Sequence, residues 1–165
     1  MEFCEENDGV RITFKRATKD ELEMLVKTRI EVLRAANKLD ENVDMKDVEE
    51  NSRIYYNKAL DDGIHVAYLV FHDEAFVGAG GVSFFQVLPT YDNPTGCKAY
   101  IMNMYTRPEY RRRGIAYKVL NLLVNEAKER GISHISLEAT EDGRPLYEKY
   151  GFVGMMDEMQ LCSSH

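Results

Sequence analysis

The stretch MNMYTRPEYRRRGIAYKVL, residues 102–120, decides the fold. Its first residues continue a β-favouring run from Cys97 (CKAYIMNMYT), which reads as a strand ending near Thr106. Pro108 breaks that strand, and Gly114 opens a helix that runs to Arg130. Ile115, Ala116, Val119, Leu120, Leu123 and Ala127 recur along this helix at helical spacing, and Gly131 stops it. The start of a helix leaves unpaired N–H groups and the positive end of its dipole facing outward. Gly114 has no Cβ and Ala116 is small, so an anion can approach the backbone closely there. Arg111, Arg112, Arg113 and Lys118 add positive charge within eight residues that hold no acid. This constellation suits a phosphate or pyrophosphate. The segment lacks the G-x-x-x-x-G-K-[ST] of a P-loop, and the chain has no G-x-G-x-x-G.

Upstream of that turn, Val10 to Arg16 (VRITFKR) alternates as a strand does. Thr18 or Asp20 can cap a following helix that presents Leu22, Leu25, Val26, Ile30 and Leu33. A second helix is predicted over Asp44 to Leu60, stopped by Asp61-Asp62-Gly63. Ile64 to Phe71 and Ala75 to Val87 read as a hairpin around Asp73-Glu74. Gly78, Gly80 and Gly81 in its second arm predict a bulge or close packing by another backbone. Leu88 to Gly96 is a loop. Downstream, Ile132 to Ala139 is a strand, Gly143 to Tyr150 a short helix and Phe152 to Leu161 a last strand. The order β-α-α-β-β-β-α-β-α-β predicts a mixed, mostly antiparallel sheet with helices on both faces. The late strand–helix–strand unit supplies one parallel pair.

The whole chain has 165 residues, 44% hydrophobic and 30% charged, which suits one folded domain over residues 1–165. Its net charge is −7, and setting aside the four cations of the turn leaves −11 on the rest. That balance argues against nucleic-acid binding, which needs a basic face. No apolar run exceeds Val66 to Phe71, so no membrane span is expected. The opening residues MEFCEEND carry no apolar leader. Cys4, Cys97 and Cys162 are scattered, which argues against a zinc site or disulfide framework and makes a reduced, cytoplasmic setting the default. His65, His72, His134 and His165 show no pairing and read as strand or surface residues.

The turn Arg111-x-x-Gly114-x-Ala116 follows Arg107-Pro108-Glu109-Tyr110-Arg111 and precedes LYEKYGF, Leu146 to Phe152. This combination resembles the GCN5-related N-acetyltransferase (GNAT) superfamily. Its signature is [QR]-x-x-G-x-[GA] after a strand, with an lYeklGF segment near the C-terminus. The match is specific from about Tyr100 to Phe152. The resemblance implies a mixed GNAT sheet whose parallel strand pair flanks the cofactor site. It implies acetyl-coenzyme A as acyl donor, no metal, and transfer of acetyl to a primary amine by direct attack on the thioester.

The backbone amides of Arg111, Arg112, Arg113, Gly114, Ile115 and Ala116 would then hold the pyrophosphate. Main-chain groups of Met104, Tyr105 and Thr106 would take the pantetheine arm, and one of their N–H groups could polarise the thioester carbonyl. Tyr147 occupies the place of the family's general acid, which protonates the departing thiolate; a phenol stays protonated at neutral pH. For the base, some members carry a Glu on the strand before the signature, where this chain has Asn103. Glu138 is the substitute candidate, and an exposed strand residue is the alternative reading of it. The Asn that often contacts pantetheine before the last helix is missing, and Asp142 can cap that helix instead.

In the family the acceptor site is shaped by the region equivalent to Arg29–Leu60 and by the Leu88–Gly96 loop. Met102, Met104, Tyr55 and Tyr56 can line it or pack in the core. The acidic run Asp40 to Glu50 would attract a cationic amine or serve as a solvated face. Family members are often dimers, so a homodimer is an expectation of the resemblance. A catalytically silent acyl-CoA-binding sensor or interaction module is the alternative function.

Overall fold

The computed structural model describes residues 1–7 and 9–162. Among them six strands form one sheet in sequential order: β1 (Glu2–Asn7), β2 (Val10–Arg16), β3 (His65–His72), β4 (Ala75–Gln86), β5 (Cys97–Thr106) and β6 (His134–Leu137). Every neighbouring pair is antiparallel except β5 and β6, which run parallel. Helices α1 (Leu22–Asn37) and α2 (Lys46–Asp61) cover one face; α3 (Ile115–Glu129) and α4 (Arg144–Tyr150) cover the other. This is the mixed, doubly covered sheet expected from the order of elements. No described helix is long and apolar enough to cross a membrane.

The two cores follow from the strand period of two. On β3, Val66, Tyr68 and Val70 face α3, where they meet Val119, Leu120 and Leu123. Ala67 and Leu69 point the other way, towards Leu25 and Val26 of α1 and Tyr56 of α2. Thr18 closes a capping box with Glu21 ahead of α1, so Thr18 is the capping residue of the two candidates. An ion pair ties the faces to the sheet: Arg16 of β2 reaches Glu126 of α3 at 2.7 Å.

Two elements differ from the sequence-based expectation. The first is β1, which pairs in register with β2 from Glu2↔Lys15 to Asn7↔Val10. Its turn contains the dipeptide Asp8-Gly9, a strong hairpin signal, and Gly9 adopts φ +77. The second is the predicted last strand, Phe152 to Leu161, which does not form; residues 152–162 hold no strand. Its apolar residues come in clusters around Gly154 and Asp157-Glu158 instead of alternating, so no single face can be buried. Met156 and Met159 are accordingly exposed. Asp142 does not cap α4 either; the Gly143 amide bonds to Thr140 Oγ1.

Candidate active site

The site begins where β5 and β6 part. Their ladder covers only Lys98–Ile101 against His134–Leu137, so β5 from Met102 to Thr106 has a free edge on that side. A bulge marks the start of this edge. Between the pairs Gly81↔Met102 and Ala79↔Tyr105, one residue of β4 stands against two of β5. Asn103 takes a left-handed φ of +59 there, a conformation that Asn tolerates better than most residues. Gly80 is the opposing residue. A Cβ on it would stand 2.5 Å from Val119 Cγ1 and 2.7 Å from Met104 Sδ, so the bulge and α3 close over a position only glycine fits.

Immediately beyond β5, the chain makes a short 3-10 turn over Pro108–Tyr110 and swings into α3. Arg112 and Gly114 adopt φ of +61 and +80, which curls the backbone into a concave loop. The amides from Arg112 to Tyr117 find no acceptor among the described residues. Nothing lies within 4 Å of the point where a Gly114 Cβ would stand, so the mouth of this loop is open. Successive free amides at a helix start, with arginines beside them, fit a pyrophosphate.

The basic side chains divide their work. Arg111 Nε donates to the Thr106 carbonyl at 3.1 Å and fixes the loop on the end of β5. Arg113 stacks over the Tyr110 ring, and Lys118 pairs with Glu5 of β1 while covering the Phe14 ring. Arg112 is exposed and forms no side-chain bond among the described residues. A second pair braces the same corner: Arg107 grips Glu31 of α1 at 2.8 and 3.0 Å. The guanidinium holds the Glu31 carboxyl below the usual carboxylate range. Tyr105 stacks on Phe76, and burial with the nearby Glu31 charge raises its pKa, while Met104 packs into the α3 core. The Thr106 hydroxyl is buried without a partner among the described residues.

Tyr147 lies on the α3 face of the sheet, in the core with α3. It is 8% exposed and packs edge-on against Phe152. Burial alone raises its pKa, so the phenol keeps its proton at neutral pH. It borders a cavity of about 490 Å³ with Val124, Ile135, Leu137 and Phe152. Glu138 follows β6; burial, joined by the Glu138 charge, raises the pKa of Tyr100.

On the opposite face, a larger cavity of about 680 Å³ lies between α1, α2 and the strands β4 and β5. Tyr55, Tyr56 and Met102 line it, whereas Met104 and residues 88–96 do not. Asn103 reaches it from the bulge and accepts from Arg29 Nη1 at 3.0 Å. His65 forms part of the wall: its Nδ1 is 3.0 Å from both Tyr55 Oη and Ser83 Oγ, which are 2.7 Å apart. His65 is 4% exposed, and burial, aided by the Arg29 charge, pushes its pKa down to about 4. It is a neutral, fixed imidazole here. The sequence offers Tyr55 as a candidate wall residue and puts Arg29 at the start of the acceptor region, but it assigns Arg29 no role and does not join Tyr55 to His65 and Ser83. For Arg29 a signal existed, because it lies in helical phase with Leu25, Val26 and Leu33. The other histidines serve elsewhere, His72 on Tyr110 and His134 on Asp92; His165 lies outside the described residues. Among the described residues no group of His, Cys, Asp and Glu could hold a metal ion.

Comparison with known proteins gives a consistent result. The sequence model of the acetyltransferase (GNAT) family matches residues 30–152. A predicted acetyltransferase from Clostridium acetobutylicum, solved with acetyl-CoA, shares 34% identity and superposes with a TM-score of 0.83; the match covers 92% of this chain and 96% of that one. A GCN5-related N-acetyltransferase from Ralstonia eutropha shares 25% identity with a TM-score of 0.78, over 92% and 98% of the two chains. The uncharacterized N-acetyltransferase YsnE of Bacillus subtilis is 39% identical over 57 residues, which spans 32% of this chain and 38% of that protein.

Proposed function

Since this chain belongs to the acetyltransferase (GNAT) family, we propose that it moves an acetyl group from acetyl-CoA to the primary amine of an acceptor held in the α1/α2 cavity. The observation that carries this reading is the continuity of three features. A loop of free amides at Arg112–Tyr117 adjoins the free β5 edge at Met102–Thr106, which opens beside the cavity at Asn103. The loop binds the pyrophosphate by main-chain hydrogen bonds with Arg112 and Arg113 adding charge. The edge directs the pantetheine arm towards the bulge, and a main-chain N–H of Met104–Thr106 donates to the thioester carbonyl as it gains negative charge.

The cavity and Tyr147 lie on opposite faces of the sheet; on this reading the thioester, carried along the open edge, is met from both. The amine nitrogen bonds to the acetyl carbon from the cavity side, and the carbon–sulfur bond breaks. Tyr147 gives its phenolic proton to the departing sulfur. The proton lost by the amine goes to Glu138 through water, since Glu138 does not line the cavity. His65 orients Tyr55 and Ser83 in the wall and, with its depressed pKa, stays neutral at physiological pH.

Release of free thiol from acetyl-CoA, followed across a panel of amines, tests this function. Tyr147→Phe is expected to lower kcat by about tenfold or more while acetyl-CoA affinity holds. Thiol release unaffected by the substitution would remove Tyr147 from the chemistry. Acetyl-CoA binding without turnover on any amine would leave the chain as an acyl-CoA-binding module.

A further inference from the structure

The charge pattern of the α1/α2 cavity narrows the acceptor, provided the cavity is the acceptor site as proposed above. Arg29 occupies the buried stripe of α1 and presents its guanidinium to the cavity. Arg16, Arg53 and Arg107 each pair with a carboxylate. Arg29 has none within salt-bridge distance among the described residues; its side-chain bond goes to the uncharged Asn103 amide. The buried titratable groups of the wall are neutral: His65 on β3, and Tyr56 on α2, whose pKa burial lifts to about 12. Of the acidic run Asp40–Glu50, only Asp47 supplies an acid to the wall, and it is exposed at the first turn of α2. A half-buried cation without a counter-ion is costly, and a ligand anion removes that cost.

The rest of the wall is mostly apolar, with Val48, Ile64, Phe84, Phe85 and Met102. Arg29 is bonded to Asn103, the bulge residue within the free β5 edge. An anion held by Arg29 is therefore close to the reacting edge, and the amine must sit only a few bonds from it. We propose that the acceptor is an amine of the α-amino-acid class with an apolar side chain, its carboxylate paired with Arg29. Arg29 and the apolar walls then give selectivity that the acidic surface run does not.

The test compares thiol release with L-leucine against L-leucinamide, and L-phenylalanine against its amide, at saturating acetyl-CoA. The free acids are expected to be preferred in kcat/KM by about ten- to a hundredfold, the range for a lost charged hydrogen-bond partner. Arg29→Met is expected to bring that ratio close to one. Equal use of acid and amide by the native protein, or a preference that survives Arg29→Met, overturns the inference. Binding of N-acetyl-L-leucine and N-acetyl-L-leucinamide, followed by NMR titration of the native protein, separates this inference from the transfer reading. A preference for the acid with no turnover upholds the carboxylate site and sinks the enzyme. Equal or absent binding of the two overturns the site even where other amines are acetylated.

Discussion

Acidification should weaken this protein through His65 in a way that one substitution can isolate. The imidazole sits in the cavity wall with its Nδ1 shared by Tyr55 and Ser83, and its Nε2 is buried without a partner among the described residues. A second proton on that Nε2 would find no acceptor among the described residues. The folded pKa is about 4 against an ordinary value of 6.5. The unfolded chain therefore takes up a proton below 6.5 that the folded chain refuses until about 4. Stability is full above the unfolded value and falls as pH drops through this window. At about 1.4 kcal/mol per pH unit, the loss amounts to about 3 kcal/mol. Urea denaturation of the native protein and of His65→Gln, at several pH values across that window, measures it. Carboxylates titrate alike in both proteins and cancel in the difference. The native protein is expected to lose about 3 kcal/mol relative to the variant. A stability gap that does not change with pH would refute the buried, neutral assignment.

Gly80→Ala should cost about 1–3 kcal/mol in chemical denaturation, because the new methyl meets Val119 and Met104 inside contact distance; an unchanged midpoint would show that the bulge relaxes freely. Glu31→Gln should cost about 1 kcal/mol at neutral pH in thermal melts, a modest value because both partners are about one-third exposed. The Glu31 carboxyl is held low by Arg107, so this contribution exists above the ordinary carboxylate pKa. It should vanish as pH falls through the depressed folded value, and a cost that persists in acid would disprove the ion-pair origin.

The parts of the fold that were legible in the sequence are those where local pattern and tertiary role agree. The apolar stripe of α3, the break at Pro108 and the glycines of β4 each carry one physical meaning, and the structure uses them so. The ends of the chain behaved otherwise. β1 is an edge strand with Glu2, Glu5 and Glu6 along it, so its hydrophobic alternation is weak and the turn dipeptide is its main signal. Phe152 to Leu161 has apolar residues enough for a strand but lacks the alternation that would bury one face. At the site, the amide loop is local in sequence and therefore readable. The cavity is assembled from α1, α2, β3, β4 and β5, so Arg29, Tyr55, His65 and Ser83 meet only after folding. A lone arginine in an apolar stripe and a lone histidine in a strand say little until their neighbours are known.

On the proposed function, the loop after β5 holds the pyrophosphate of acetyl-CoA on main-chain amides. Calorimetric titration of acetyl-CoA into the native protein and into Gly114→Glu tests it most directly. At Gly114 the backbone φ is +80 and the space outside is open, so the added carboxylate would project into the mouth of the loop. Saturable binding by the native protein in the micromolar-to-millimolar range, and none by a folded Gly114→Glu, is the expected result. An absence of binding by the native protein, or equal binding by the variant, would contradict it.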